Sequence, residues 1–320
     1  MSLFSAATTG REVVNAFREQ IYGKTFAVTG PSAKSLGART AVMLAAANPK
    51  QILLLGRSEA KIKPVIEEIN AINSAVDARF CYLDLSDLDS VRSAAENINA
   101  SIDKIDVLIN YAGIMAVKEF ETSKEGIEIQ FAANHIGHFL LTNLLMPKLV
   151  AAGPGARIVN VSSIGYLLSE VRFEDLNFQD GKCYIPWLGY GQSKTANILF
   201  SVALEARLKK RGISSFSVHP GTIFNTNLGL HLDDESFDVL RKIAQEKGMP
   251  TLEEQRLKSV DEGCATALVA ALDPSLESGA SGAFLSDCVI ENTREYAHDP
   301  DNAEKLWQLS EAVTGQKFSY

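Results

Sequence analysis

Tyr190 and Lys194 stand four residues apart in the stretch Tyr190-Gly191-Gln192-Ser193-Lys194. The run that follows, SKTANILFSVALEARLKK, reads as an amphipathic helix, so both side chains fall on one helical face. A phenol with an ordinary pKa near ~10 is a poor proton donor and acceptor at neutral pH. A fixed positive charge beside it favours the phenolate and brings that pKa toward the working range. Tyr and Lys at this spacing also occur by chance on solvated helices. What gives them weight is the nucleotide-binding pattern that precedes them in the chain.

The elements that must position this pair alternate. Residues 8–20 read as a short helix, KTFAVTG (24–30) as a buried strand and 36–48 as a helix. QILLLG (51–56) is a second strand, 58–74 a helix and RFCYLDL (79–85) a third strand. VRSAAENINAS is helical, KIDVLINYAG (104–113) a fourth strand and 124–150 one long helix. ARIVNVSS (156–163) is a fifth strand, 190–211 a long helix, ISSFSVHPG (213–221) a sixth strand and GAFLSDC (282–288) a candidate last one. This order predicts an α/β fold: a parallel sheet with helices on both faces. Right-handed crossovers put the strand C-termini on one edge, where ligands bind. Gly30, Arg57, Asp84, Asn110, Ser163 and Pro220-Gly221 each follow or end an apolar strand, which places them all on that edge. Residues 227–259, charged and helical in pattern, interrupt the rhythm and read as a substrate lid.

The loop TGPSAKSLGART (29–40) joins the first strand to the first sheet-flanking helix. A dinucleotide site needs glycine here, for a tight turn and for close approach to a pyrophosphate seated on the helix N-terminus. Only Gly30 and Gly37 are present, with Lys34, Ser35 and Leu36 between them, and an ordinary turn would explain the loop nearly as well. Lys34 is either a solvated loop charge or a phosphate counter-ion. The second strand ends Gly56-Arg57-Ser58, with no acid to bind a ribose 2'-hydroxyl. Arg57 offers a planar fork for a 2'-phosphate, so the expected cofactor is NADP(H) in preference to NAD(H); the competing reading is a plain surface arginine. Asp84, followed by Leu85, is suited to the adenine amino group or to capping a helix, although Ser86 and Asp87 would also cap. Ala112 and Gly113 would let the backbone lie against the adenosine ribose.

The chain has 320 residues, 46% hydrophobic and 22% charged, with a net charge of -8, which suits one large α/β domain, although length alone would also allow two. There is no basic stripe for nucleic acid, no membrane-length apolar run and no secretory pattern in MSLFSAATTGREVV. Cys81, Cys183, Cys264 and Cys288 are scattered, and no His stands at metal spacing. Reduced thiols, no metal and a cytoplasmic location are expected. His135, His138 and His219 read as structural.

TGPSAKSLG, LDLSDLDSVR, NYAGIM, NHIGHFLLTNLL, RIVNVSS, YGQSK and HPGTIFNTNL, in this order, resemble the short-chain dehydrogenase/reductase family over about residues 22–290. NHIGHFLLTNLL and SKTANILF are most similar to its retinol-dehydrogenase-like branch, fungal members included. The resemblance implies a single Rossmann-type doubly wound domain over 1–320: 22–150 mainly cofactor-binding, 156–226 catalytic and 227–259 the lid. It implies Tyr190 as general acid in carbonyl reduction and base in alcohol oxidation, and Lys194 as the group that lowers its pKa and holds the nicotinamide ribose. Ser163 would bond the substrate oxygen, and Asn134 would hold a water relaying protons to Lys194. Asn110, Ala112 and Gly113 would contact the adenosine side. Pro220, Gly221, Ile223, Asn225 and Thr226 would fold over the nicotinamide. On residue type alone, Asn134 would equally cap or kink its helix, and Ser163 would equally be a turn serine. The family commonly pairs through two long helices, here 124–150 and 190–211, so a homodimer is expected, although a buried core face would look alike.

The sequence departs from the family pattern in its longer Gly loop, in Ser35 where glycine is common and in Tyr111 within Asn-Tyr-Ala-Gly. Between Ser163 and Tyr190 lies an aromatic-rich insert, YLLSEVRFEDLNFQDGKCYIPWLG, with Leu167, Tyr184 and Trp187 as wall candidates for a bulky apolar substrate. Packing against the lid would explain them equally. The expected function is NADPH-dependent reduction of a ketone or aldehyde, with tailoring of a secondary metabolite an association only. The rivals are an idle nucleotide-binding scaffold or sensor and a sugar-nucleotide epimerase or dehydratase, and fold alone separates none of these.

Overall fold

Among the described residues, six strands carry almost unbroken runs of buried residues, as a sheet covered on both faces requires. A computed structural model describes residues 4–224, 226–251, 254–277 and 279–320. Its elements run α1 (Gly10–Ala16), β1 (Thr25–Thr29), α2 (Leu36–Ala45), β2 (Gln51–Gly56), α3 (Glu59–Ile72), β3 (Asp77–Tyr82), α4 (Leu88–Ser101) and β4 (Val107–Asn110). Then come α5 (Ile129–Phe131), a π-turn (Ala132–Ile136), α6 (Gly137–Leu144), α7 (Met146–Ala152), β5 (Arg157–Val161) and α8 (Pro186–Leu208). The chain closes with β6 (Ser214–His219), α9 (Asp234–Glu246), α10 (Val260–Leu272), β7 (Phe284–Ser286), β8 (Val289–Glu291), α11 (Glu295–His298) and α12 (Pro300–Thr314).

The sheet order is β3-β2-β1-β4-β5-β6-β7-β8. Every pairing is parallel except β7 with β8. The order reverses between β1 and β4, which opens a crevice at their C-terminal ends. One apolar core (Leu108, Phe139, Leu199, Trp307) lies on one face of the sheet. A second (Phe26, Leu54, Val159, Leu268) lies on the other. This is the expected Rossmann-type α/β fold.

Several elements differ from the sequence reading. The single helix expected over 124–150 is instead α5, the π-turn, α6 and α7. Glu128 starts it late by accepting from Gln130 N and Phe131 N, and Pro147 in the first turn of α7 cannot continue α6, which ends at Leu144. The segment 227–259 holds one α-helix, α9, and is otherwise mostly irregular. α10, α12 and the short β8 were not anticipated. The 190–211 helix begins earlier, at Pro186, and is nearly all buried within the monomer. α12 covers it: the Trp307 ring lies 4.9 Å from Phe139 and 3.9 Å below the Arg207 guanidinium. Trp307 therefore occupies part of the α6 and α8 flank expected to pair in a homodimer.

Candidate active site

Tyr190 and Lys194 sit in the first turns of α8, where Pro186 at the start needs no hydrogen-bond partner for its missing N–H. Both are buried, at 5% and 4% exposure. Lys194 Nζ lies 5.5 Å from the centre of the Tyr190 ring and donates to Val161 O at the end of β5 (3.1 Å). Two residues further on, Ser163 Oγ accepts from Gly165 N (3.0 Å) and hydrogen-bonds the Tyr190 phenol. The structure thus brings Ser163, Tyr190 and Lys194 together. Burial pushes the Tyr190 phenol up to about 12, opposite to the lowering expected from Lys194, with the Ser163 hydroxyl pulling the other way. Burial also pulls the Lys194 ammonium down to about 8.

Asn134 lies in the π-turn, a distortion that recurs at functional sites. Its Oδ1 accepts from Ile114 N (2.8 Å), while Nδ2 donates to Ile114 O and Ser193 Oγ (both 2.9 Å). A Cβ built on Gly113 would stand 3.1 Å from Asn134 Oδ1 and 3.5 Å from Lys194 Nζ. The two groups therefore face one small space that a side chain at position 113 would fill.

The crevice at the switch point of the sheet is where a dinucleotide is expected. Gly30 is left-handed (φ 69°), and a Cβ there would strike Ala112 Cα at 2.8 Å, so β1 and β4 leave bare backbone at the crevice. Ser35 caps α2, accepting from Ala38 N (3.0 Å) and donating to Gly30 O (2.8 Å). Lys34 is exposed and takes a left-handed φ of 69°. Leu36 and Ile223 side chains both rest on Gly263 of α10, which joins the loop after β1 to the loop after β6. Gly37 is buried against the backbone of Thr29 and Gly30. Pro220, Gly221 and Thr226 are half-buried in the loop after β6, and Asn225 lies outside the described residues.

Arg57 is exposed just beyond β2. Asp84 Oδ1 accepts from Ser86 N and Ser86 Oγ (3.0 and 2.7 Å), whereas Asp87 caps α4, so the capping role belongs to Asp87. Leu85 is buried against Gly137 of α6. Asn110 points into the sheet: Nδ2 donates to Asn160 Oδ1 (2.9 Å), its register partner on β5, and to Thr142 Oγ1 (3.2 Å).

Leu167 and Trp187 pack with Tyr190 beneath α9, whose Val239, Leu240, Ile243 and Ala244 face them. Trp187 Nε1 donates to Ser236 O (2.8 Å) and holds the start of α9 to α8. Tyr184 lies elsewhere, its ring between Phe120 and Phe178 and its hydroxyl on Val117 O (2.8 Å).

Behind the site stand His138, read from the sequence as structural, and Thr29, which that reading did not single out. His138 bridges Thr29 Oγ1 (3.0 Å) and Asn134 O (2.9 Å), and Thr29 Oγ1 accepts from Ala112 N (3.0 Å). Burial pulls the His138 imidazole down to about 4, so it stays neutral while linking β1, β4 and the π-turn. Its position four residues from Asn134 was the available signal. Among the described residues, no cluster of His, Cys, Asp and Glu could hold a metal ion, and no helix is long and apolar enough to cross a membrane.

A family model described as short chain dehydrogenase matches residues 24–173. Mouse "Retinol dehydrogenase 12" is 35% identical over 296 residues, covering 92% of this chain and 88% of that protein. An uncharacterized oxidoreductase of Schizosaccharomyces pombe is 36% identical over 300 residues, covering 91% and 85%. A crystal structure of an uncharacterized protein from Mycobacterium paratuberculosis superposes with a TM-score of 0.71 at 31% identity, covering 94% of this chain and 96% of that one.

Proposed function

This chain belongs to the short-chain dehydrogenase family, in its retinol-dehydrogenase-like branch, and from that premise we propose that it is an NADPH-dependent reductase of bulky apolar ketones or aldehydes. Membership makes it an NAD(P)-dependent oxidoreductase acting on CH–OH and C=O groups. The observation that carries the reading is the buried phenol of Tyr190 beside the Ser163 hydroxyl and Lys194 Nζ.

A bound reduced nicotinamide supplies the hydride. Tyr190 gives its proton to the carbonyl oxygen. Ser163 hydrogen-bonds the same oxygen and steadies the developing alkoxide. The Lys194 charge favours the phenolate left behind. The space shared by Asn134 Oδ1 and Lys194 Nζ suits a water that returns the proton from solvent. In the reverse direction Tyr190 serves as base toward an alcohol.

Exposed Arg57 and Lys34, with no acid at the end of β2, support NADPH over NADH. Leu167, Trp187 and the apolar face of α9 support a bulky apolar substrate, with 227–259 as its lid within one domain. Relatives named retinol dehydrogenases, which take their name from a bulky apolar alcohol, agree with that pocket. The cytoplasm is the proposed location. The second reading, an idle nucleotide-binding scaffold, draws on Lys34 and Ser35 in the irregular loop.

The test is loss of absorbance at the reduced-nicotinamide band, with NADPH and then NADH, over aromatic, steroidal, retinoid and aliphatic carbonyls. Turnover that vanishes in Tyr190→Phe supports the reductase. Tight NADPH binding with no turnover across the panel favours the scaffold.

A further inference from the structure

Lys258 is charged, yet its side chain is 2% exposed. Its ion-pair partner is the half-exposed Asp287, with Nζ 2.5 Å from Oδ1. Among the described residues Nζ makes no hydrogen bond of good angular geometry, so the contact is charge on charge. A buried ammonium held this way is costly to keep, and its position needs a reason.

That position is under the turn that follows β6. Lys258 N donates to Thr222 O (2.9 Å), and Thr222 forms a parallel bridge with Leu257. Gly221 is left-handed (φ 95°), and a Cβ there would lie 2.5 Å from Lys258 Cδ and 2.9 Å from Cε. The lysine stem therefore lies directly across the Gly221 backbone. Asp287 is held from the opposite side: it and Cys288 are both left-handed (φ 50° and 66°) in the tight β7–β8 turn. Cys288 N is fixed to Thr266 Oγ1 of α10 (3.2 Å). His219, the last residue of β6, feels both charges, and its Nδ1 accepts from Ile164 N (3.2 Å), next to Ser163. Burial and the Lys258 charge pull His219 down to about 4, so the ring stays neutral and able to accept that bond.

We propose that the buried Lys258–Asp287 pair is a clamp that sets the 219–223 turn, and through His219 the Ser163 turn, so that Lys258 and Asp287 are positioning residues for the nicotinamide end of the site. This rests on the dehydrogenase reading above. Neither residue need touch cofactor or substrate. Lys258 also stands just before α10 and at the end of the lid segment, so the clamp ties lid, turn and sheet edge at one point.

The test compares two ligands on purified full-length protein: NADPH, which reaches both ends of the site, and adenosine 2',5'-bisphosphate, which reaches only the adenosine end. Lys258→Met keeps a stem over Gly221 and removes the charge. It should weaken NADPH about tenfold, lower kcat/KM about a hundredfold and leave bisphosphate affinity within about twofold. Asp287→Asn should move the same quantities in the same direction, and being half-exposed it carries the test should Lys258→Met fail to fold. Equal weakening of both ligands, or no change in either, overturns the clamp. Failure of the unaltered protein to bind NADPH would overturn the dehydrogenase reading, and the clamp with it.

Discussion

The Lys194 ammonium sits 5.5 Å from the centre of the Tyr190 ring, anchored on Val161 O, and both residues are buried. Burial holds the Lys194 pKa at about 8, below its ordinary 10.5. The folded protein then binds fewer protons than the unfolded chain between those values. The stability penalty is therefore full below pH 8 and fades as the pH rises toward 10.5. Lys194→Met should raise thermal stability at neutral pH, by at most about 3 kcal/mol, and lose the gain in alkali. Melting at neutral pH and again near the upper value checks the sign. The same variant should abolish turnover.

The pH profile of reduction follows from the same pair. Tyr190 keeps its proton up to about 12, so the fall in kcat/KM should track Lys194 losing its charge near 8. A flat profile through pH 9 would show that Lys194 does not support the proton transfer.

Cofactor choice should turn on Arg57. Replacing it with Ala removes the fork for a 2'-phosphate, so the NADPH-to-NADH ratio of kcat/KM should drop about tenfold or more. An unchanged ratio would place Arg57 among ordinary surface residues.

Gly113→Ala should act on the proton path. The new methyl would stand 3.1 Å from Asn134 Oδ1 and 3.5 Å from Lys194 Nζ. Expected is a kcat drop of about tenfold or more with a smaller change in substrate KM. A normal solvent isotope effect and unchanged kcat would show the space to be idle.

Trp187→Phe removes the bond to Ser236 O while keeping an aromatic ring in the wall. Losing one such bond, worth about 1 kcal/mol, should raise KM for bulky carbonyls several-fold and spare small ones. Equal effects on both would argue against α9 as part of the pocket.

The parallel sheet was legible because its strands are short apolar runs closed by turn residues, and a covered sheet leaves no other pattern. Tyr190 and Lys194 were legible because helical spacing alone brings them together. The 124–150 region misled because its apolar residues fit a helix throughout, and only Glu128 and Pro147 marked its breaks. α10 was missed although Ser259 and Glu262 form a capping box. α12 was missed although Asp299, Pro300 and Gly315 mark its two ends. Tyr184 was misplaced for a different reason. An aromatic insert reveals that it will be buried but not against what, and its hydroxyl found Val117 O instead of the substrate wall. The Thr29–His138–Asn134 chain depends on contacts between distant segments, which spacing does not encode.

α12 joins the flank of α6 and α8 to a segment distant in the chain. Its Trp307 closes over Phe139 and Phe200, and its Ser310 meets the His135 ring. These contacts cover α6 and α8 with residues made well after them. A nascent chain therefore holds the apolar flank of α6 and α8 open until the fifteen residues of α12 have been made. The interval before then is when this protein is most exposed to aggregation, and when a chaperone has most to cover.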